Sequence, residues 1–321
     1  MSVGTDAGLD GAAKGSVERI EAGGFAADVA PAIGGSLAGF YSLAVEATPR
    51  VDWLRPASRA ALLHKIPLGM ASFPLVPWCN RIRDGRFEWN GRTVSLPPNA
   101  DGTRHSIHGL GWLRPWNVAA RAAHWIELAC EDDGRGAWPF PFAATQRYAL
   151  DDAGLEITLA LWNLGHEPMP AGIGHHPYFA HRHEGRGTIV QAQVDAMWLS
   201  DAELLPTALS TIDPAVAALR AGMPIERFAL DNNFRGFGRE ATVRWPDGRG
   251  LRLQASEPLD FFVLYTPAEQ DVFVMEAVSN CTDWVHLRDT FPSADIGGAA
   301  LAPGRTLVAT TRLLPLPRPS A

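Results

Sequence analysis

Cysteine is scarce in this chain, and the cysteines present show no pairing pattern. Cys79, Cys130 and Cys281 are an odd number, lie far apart and include no Cys-x-x-Cys pair. Such a set argues against a disulfide framework and against a cysteine-based zinc site. It is in keeping with a reducing compartment, so we expect a cytoplasmic protein.

Long apolar runs and clustered positive charge are also missing. No apolar stretch is long enough for a membrane-spanning helix, and the first two dozen residues lack the pattern of a signal peptide. The chain has 35 acidic and 28 basic residues, and its arginines are scattered. Nucleic acids and membrane surfaces attract clustered positive charge, so we expect neither as a partner. A small neutral molecule is the partner class that this composition restricts least.

Helical patterns are few, whereas β patterns are many. Residues 155–161 alternate between Leu or Ile and Glu, Thr or Ala, which predicts a half-buried strand. Residues 272–278 predict a further strand. Turn signals at Asn90-Gly91 and Asp247-Gly248 predict two hairpins, the second with a longer loop. The best helix spans about 213–221, because Asp can cap it and Pro suits its first turn.

The distribution of glycine and proline indicates an all-β fold. These residues fall between the predicted strands, as expected for many short strands joined by turns. No internal repeat or linker divides the chain into halves. We therefore expect a flexible N-terminal tail over residues 1–15 and one sandwich-like β domain over residues 16–321, with a few short helices in loops.

An imidazole of fixed direction is the most informative feature of the chain. In the run GIGHHPYF at 172–179, Pro177 holds its own φ and biases His176 toward an extended backbone. A positioned imidazole can act as an acid or a base near neutral pH. The alternative is a strand end whose histidines bond to backbone carbonyls.

Glu276 is the other unusual titratable residue. It lies on a predicted strand, on an otherwise apolar face between Val274 and Val278. An unpaired carboxylate there would destabilise the fold, so Glu276 either pairs with an arginine or lines a pocket. A carboxylate in such surroundings is a candidate for the tuned pKa that enzymes use.

Arg81, His108 and Asp231 lie in polar segments beside aromatic residues. Each has an ordinary interpretation: Arg81 as a surface arginine packed on a ring, and Asp231 as part of an Asx turn. His105 and His108 have the spacing of metal ligands on one helical turn. The glycines around them argue against a helix, and no third ligand segment is evident, so we do not expect a metal site.

Taken in order, these segments resemble the aldose 1-epimerase (mutarotase) family, most closely a bacterial branch with a Phe-Pro-Leu-x-Pro-Trp-x-Asn-Arg-Ile run. The similarity extends from residues 28–35 to residues 301–304. Each motif is weak alone, but the ordered set is fairly specific. The resemblance implies a galactose-mutarotase-like β-supersandwich, an open cleft for a free monosaccharide, and no metal or organic cofactor.

The resemblance also implies residue roles. His176 matches the general acid that protonates the ring oxygen, and Glu276 matches the general base that takes the proton of the anomeric hydroxyl. Arg81, His108 and Asp231 match the groups that bind sugar hydroxyls and the ring oxygen. The chemistry suits these residue types, since opening and reclosing a hemiacetal needs one acid and one base, each worth roughly 10²–10⁴-fold.

Several positions depart from the family pattern. Ala277 follows the matched base where relatives usually have proline, residues 283–286 (DWVH) replace a more typical small, aromatic, Asn sequence, and His175 stands where the family often has Asn or Trp. These departures leave the identity of the sugar open, because they could reshape the cleft. Trp78 or Trp112 is expected to pack on a sugar face.

Three other functions stay open from the sequence. A mutarotase of hexose 6-phosphates would need arginines gathered around a dianion, with four candidates: Arg81, Arg83, Arg86 and Arg104. A sugar-binding protein without catalysis would leave the acid and base unexplained. A glycoside hydrolase using Asp231 and Glu276 would leave His176 without a role. Neither the sugar nor the oligomeric state follows from the sequence.

Overall fold

Two large antiparallel sheets organise the chain. The computed structural model describes residues 17–46, 48–180, 187–268 and 270–317. The nine-stranded sheet contains, in spatial order, Asn117–Ala122, Trp125–Asp132, Phe142–Leu150, Leu155–Asn163, Thr306–Leu316, Gly250–Ala255, Glu240–Arg244, Ile189–Ala192 and Met223–Pro224. The eight-stranded sheet contains Pro206–Ser210, Ala196–Ser200, Asp231–Arg235, Phe261–Tyr265, Val272–Val278, Gly174–His175 and Pro74–Leu75, with Tyr178–Ala180 also paired to Val272–Val278.

Smaller sheets surround these two within the described ranges. A four-stranded sheet near the start contains Glu18–Ala22, Phe25–Ala30, Ser36–Ser42 and Val51–Asp52. Three two-stranded pairs join Arg81–Ile82 to Ser106–Ile107, Arg86–Trp89 to Arg92–Ser95, and Met169–Ala171 to Ala299–Leu301. The described α-helices are short and lie between strands: Arg59–His64, Pro214–Ala221, Trp284–Leu287 and Ser293–Ile296. The 3₁₀ turns are Pro67–Gly69, Arg83–Gly85, Gly111–Leu113 and Ile225–Arg227.

Burial differs between the two large sheets. In Phe142–Leu150 of the nine-stranded sheet, buried and half-buried positions alternate, as expected when one face packs on the core. In Val272–Val278 of the eight-stranded sheet, all seven residues are buried, so this strand is covered on both faces. One continuous hydrophobic cluster includes buried side chains from both sheets. The two large sheets therefore share a single core.

The two hairpins and the helix predicted from local sequence patterns are present in the structure. The Asn90-Gly91 turn joins Arg86–Trp89 to Arg92–Ser95, with Glu88 opposite Thr93. The second predicted hairpin pairs Glu240–Arg244 with Gly250–Ala255. The predicted helix is Pro214–Ala221, and the Asp213 side chain accepts a hydrogen bond from the backbone N–H of Ala215.

The all-β prediction is confirmed, and the domain boundaries stay a prediction. The proposed tail over residues 1–15 lies outside the described residues. Across the ranges that the structure does describe, none of the helices has the length and apolarity needed to cross a membrane.

The register of the eight-stranded sheet places several polar side chains on the same face. Tyr178 pairs with Val274, Val274 with Tyr265, and Tyr265 with Asp231. Residues directly opposite in antiparallel strands point to the same side, so these four side chains form a row across four strands. Glu276 is two residues beyond Val274 and shares this side.

Candidate active site

A cleft of about 580 Å³ opens beside this face of the sheet. All the residues for which the sequence predicts a role line it: Arg81, His108, His176, Asp231 and Glu276. A larger cavity of about 790 Å³ adjoins it at Gln270 and is lined by none of these residues. The smaller cleft is the candidate site because it gathers the titratable groups.

His176 and Glu276 are in direct contact at the base of the cleft. The Nε2 atom of His176 lies 3.2 Å from Oε1 of Glu276, and their side chains are 9% and 2% exposed. The His176 ring stacks on Phe73 with centroids 4.6 Å apart, and Tyr178 flanks it at 4.7 Å. The backbone N–H of His176 also donates to the Phe73 carbonyl. Packing and the following Pro177 therefore fix the direction of the imidazole.

Burial shifts the pKa of both groups toward their neutral forms. Desolvation raises the pKa of Glu276 well above its usual value, repulsion from Asp231 adds to this, and Arg81 opposes it. Desolvation, together with the positive charges of Arg55 and Arg81, lowers the pKa of His176 to about 3.

The contact between His176 and Glu276 allows the two groups to share one proton. The neutral form and the imidazolium–carboxylate form differ only in where that proton lies along the contact, so the pair titrates as a unit. The Oε2 atom of Glu276 and Nδ1 of His176 are buried without a hydrogen-bond partner among the described residues. Such a pair can donate a proton at one oxygen of a ligand while it accepts a proton from another.

Arg81 and Asp231 form a second, polar part of the cleft. Nη2 of Arg81 lies 3.3 Å from Oδ2 of Asp231, and both side chains are about one-fifth exposed, at 19% and 21%. The Asn80 side-chain oxygen accepts hydrogen bonds from the Arg81 backbone N–H at 2.8 Å and from its guanidinium at 3.2 Å. Asn80 has a positive φ of 56°, which asparagine tolerates. Asn80 therefore holds Arg81 in place.

His108 joins the site through an unusual backbone turn. Its φ is +57°, the φ of Gly109 is +77°, and its backbone N–H donates to the Asn80 carbonyl. Its ring meets the His176 ring edge-on, with centroids 5.2 Å apart. Burial lowers the pKa of His108 well below its usual value, and His176 and Arg81 lower it further. His108 is therefore a neutral imidazole.

His105 also lines the cleft, but its ring has a structural partner. Its Nδ1 accepts a hydrogen bond from the Asp84 backbone N–H at 3.0 Å, and its side chain is 2% exposed. Within the described ranges, no group of three or more His, Cys, Asp or Glu side chains is arranged to hold a metal ion.

The aromatic residues at the cleft are not the ones expected from the sequence. The expectation that Trp78 or Trp112 packs on a sugar is wrong for this cleft. Both are buried and absent from its lining, since Trp78 packs on Trp138 and Trp112 stacks on Phe73. Tyr178 and Tyr265 line the cleft instead.

Arg55 is a lining residue that the sequence did not indicate. Its guanidinium carbon lies 3.8 Å from the centroid of the Tyr178 ring. Its Nη2 donates to the carbonyls of Leu68 at 2.8 Å and Met70 at 2.5 Å. No pattern around Arg55 in the sequence marks it, because its place depends on these long-range contacts.

The departures from the family pattern lie behind the site rather than in it. Ala277, His175 and Trp284 are buried and do not line the cleft. The His175 ring packs edge-on near Tyr148, and burial lowers its pKa to about 3. Trp284 meets Trp89 edge-on. These residues therefore do not narrow the cleft directly.

Comparisons with solved structures identify the architecture. A proposed aldose 1-epimerase of Escherichia coli K12 superposes with a TM-score of 0.82 at 26% identity, covering 94% of this chain and 98% of that one. A galactose mutarotase-like protein from Clostridium acetobutylicum gives a TM-score of 0.81 at 19% identity, covering 93% and 94%. The fold is therefore a galactose-mutarotase-like β-sandwich, as predicted.

Sequence comparison identifies the family. The family model for aldose 1-epimerase matches residues 29–314, so the chain belongs to the aldose 1-epimerase family. The uncharacterized Escherichia coli K12 protein YphB is 28% identical over 281 residues, covering 85% of this chain and 90% of that protein. Membership makes the protein an isomerase of the sugar epimerase or mutarotase type, with a sugar as its substrate, and confirms the resemblance seen in the sequence.

Proposed function

We propose that the protein interconverts the α and β anomers of a free aldose by opening and reclosing the sugar ring. The contact of 3.2 Å between His176 Nε2 and Glu276 Oε1 carries this proposal. In a cyclic aldose, O1 and O5 are bonded to the same carbon, C1. Two groups in contact with each other can therefore reach both oxygens together, with His176 as the acid at O5 and Glu276 as the base at O1.

Over one turnover, His176 and Glu276 each give up one proton and take one back. In the imidazolium–carboxylate form, His176 donates its proton to O5 as the C1–O5 bond breaks, and Glu276 takes the O1 proton as the carbonyl forms. After rotation about C1–C2, Glu276 returns a proton to O1 and His176 takes one from O5 as the bond re-forms. No proton is gained from or lost to solvent, so a buried pair is sufficient.

The remaining residues of the site are proposed to hold the sugar. Arg81 supplies donors and Asp231 supplies acceptors, and their mutual ion pair keeps both oriented. His108 is neutral, so it can donate to one sugar oxygen without repelling the imidazolium form of His176. Tyr265 lines the cleft and is only half-buried, so it offers a flat surface for the C–H face of a pyranose.

The charge arrangement favours an aldose without a phosphate group. Among the four arginines considered for a phosphate, Arg81 pairs with Asp231, Arg83 with Asp283, and Arg104 with Asp84 and Glu203. Arg86 does not line the cleft. These arginines therefore do not gather around a site for a dianion, which supports a free aldose over a hexose 6-phosphate. We also propose a cytoplasmic location, supported by three buried cysteines that form no disulfide.

Polarimetry tests the proposal directly. Fresh solutions of α-D-glucose, α-D-galactose and other pure anomers change rotation as they equilibrate, and the protein should accelerate this change for at least one free aldose. Glucose 6-phosphate should be accelerated less. A protein that leaves every sugar of a broad panel at its spontaneous rate would contradict the activity, and a preference for glucose 6-phosphate would contradict the choice of a free aldose.

A further inference from the structure

Arg55 places a positive charge at the Tyr178 end of the cleft. Its Nη2 donates hydrogen bonds to the backbone carbonyls of Leu68 and Met70. The face of its guanidinium covers the Tyr178 ring at 3.8 Å, and that ring lies 4.7 Å from the ring of His176. Arg55 is therefore held beside the proposed acid, and within the described residues neither its Nε nor its Nη1 donates a hydrogen bond.

The other arginines of the cleft pair with carboxylates, whereas Arg55 has no such partner in the part of the chain that the structure describes. Arg81 lies 3.3 Å from a carboxylate oxygen of Asp231, and Arg104 pairs with two carboxylates. Among the described residues, no carboxylate lies within ion-pair distance of Arg55. Burial lowers its pKa, and the group that raises it is the Tyr178 phenol rather than an acid. A half-buried cation without a counterion destabilises the protein unless a ligand supplies the negative charge.

The position of Arg55 indicates which part of a sugar it would meet. In the proposed function, His176 faces O5, and O5 is bonded to C5, which carries C6. A substituent on C6 therefore lies on the His176 side of the ring, where Arg55 is. Asp231 is three strands away from Tyr178 along the row of the sheet, so the ring hydroxyls lie toward the opposite end.

We infer that the substrate is a hexuronate, an aldose whose C6 is a carboxylate that binds to Arg55. This inference rests on the proposed mutarotase function. A carboxylate carries one negative charge and matches the planar guanidinium, so one arginine is sufficient to neutralise it. A phosphate dianion would leave part of its charge unmatched in the same place.

The test compares kcat/KM for mutarotation of D-glucuronate with D-glucose, and of D-galacturonate with D-galactose, in the wild type, Arg55→Gln and Arg50→Gln. The wild type should prefer the uronate of at least one pair, and Arg55→Gln should lower that preference about 10- to 100-fold. Arg50 is a matched control, because its guanidinium also covers a tyrosine, Tyr41, at 3.4 Å but outside the cleft. Arg50→Gln should leave the preference unchanged.

A second measurement needs no variant. Added salt screens charge, so it should lower kcat/KM of the wild type for the uronate more than for the neutral sugar. A wild type that prefers the neutral sugars, or an Arg55→Gln variant that slows uronate and neutral sugar equally, would overturn the inference alone. A preference for hexose 6-phosphates would overturn it together with the choice of a free aldose. Failure to accelerate any of these sugars would instead overturn the proposed function.

Discussion

The backbone N–H of Asp283 donates a hydrogen bond of 2.9 Å to the carbonyl oxygen of Arg81. The fully buried carboxylate of Asp283 also accepts from the Arg83 backbone N–H at 2.9 Å and lies 2.6 Å from His286 Nδ1. Two segments that are 200 residues apart are thus locked together behind the cleft. The segment 283–286, which departs from the family pattern, supports the strand that carries Arg81.

Asp283→Asn should weaken the link between segment 283–286 and the strand that carries Arg81. Asparagine tolerates the positive φ of 59° at this position but removes the charge that Arg83 and His286 contact. We expect the free energy of unfolding to fall by about 1–2 kcal/mol and KM to rise, because the buried side chain loses its charge-assisted hydrogen bonds, while Arg83 and His286, 40% and 33% exposed, stay partly solvated. Urea titration and sugar kinetics measure the two effects. Asp289→Asn, at a side chain that is 85% exposed, is the control and should be nearly neutral; equal losses would contradict the assignment.

Gly109→Ala should disturb the turn that carries His108. A Cβ at Gly109 would lie 2.0 Å from the Val76 carbonyl oxygen, whereas a Cβ at Gly91 would have nothing within 4 Å. Both glycines have a φ of +77°, so the cost of about 1 kcal/mol for a left-handed backbone is common to both variants. We expect Gly109→Ala to cost at least about 2 kcal/mol more than Gly91→Ala in thermal or urea unfolding. Similar losses for the two would show that the turn is not tightly packed.

The raised pKa of Glu276 predicts a pH dependence of stability. Its folded pKa lies above the unfolded value of 4.5, so the folded chain binds more protons than the unfolded chain between the two values. The free energy of unfolding contributed by this group therefore falls as pH rises above about 4.5. Glu276→Gln should gain stability relative to the wild type as pH rises through this window. A difference between Glu276→Gln and the wild type that stays constant across this pH window would refute the raised pKa of Glu276.

His175 should make the free energy of unfolding fall as the pH is lowered, which is the opposite of the effect of Glu276. Its folded pKa of about 3 lies below the ordinary 6.5, so the unfolded chain binds more protons and stability is lost as pH falls below 6.5. His175→Phe keeps a ring and removes this loss. Its stability relative to the wild type should rise by about 2 kcal/mol between about pH 8 and pH 5. His124→Phe, at an exposed position, is the control. A stability difference between His175→Phe and the wild type that does not change with pH would contradict burial of a neutral imidazole.

Local patterns in the sequence were sufficient for much of the fold. The Asn90-Gly91 hairpin and the helix Pro214–Ala221 depend on turn and capping residues a few positions apart, so short windows contain the determinants. Strand Val272–Val278 was also evident, as was Glu276 within it, because a carboxylate in an apolar strand is rare. The five predicted site residues do line one cleft, while their chemical roles stay predictions.

Long-range packing accounts for what the sequence did not reveal. Tyr265 reaches the cleft because strand register aligns it with Asp231, and Arg55 reaches it through contacts with distant carbonyls. Neither relationship leaves a local pattern. Trp78 and Trp112 were expected at the sugar, but the side that an aromatic ring takes is decided by tertiary packing, and both face the core.

The central claim is that His176 and Glu276 act as one acid–base pair. The most direct measurement is the polarimetric kcat of Glu276→Gln on the best substrate of the wild type, with Glu257→Gln alongside. We predict a loss of about 10²-fold or more for Glu276→Gln, since glutamine cannot take the O1 proton. A folded Glu276→Gln variant that turns over at the wild-type rate would contradict the account.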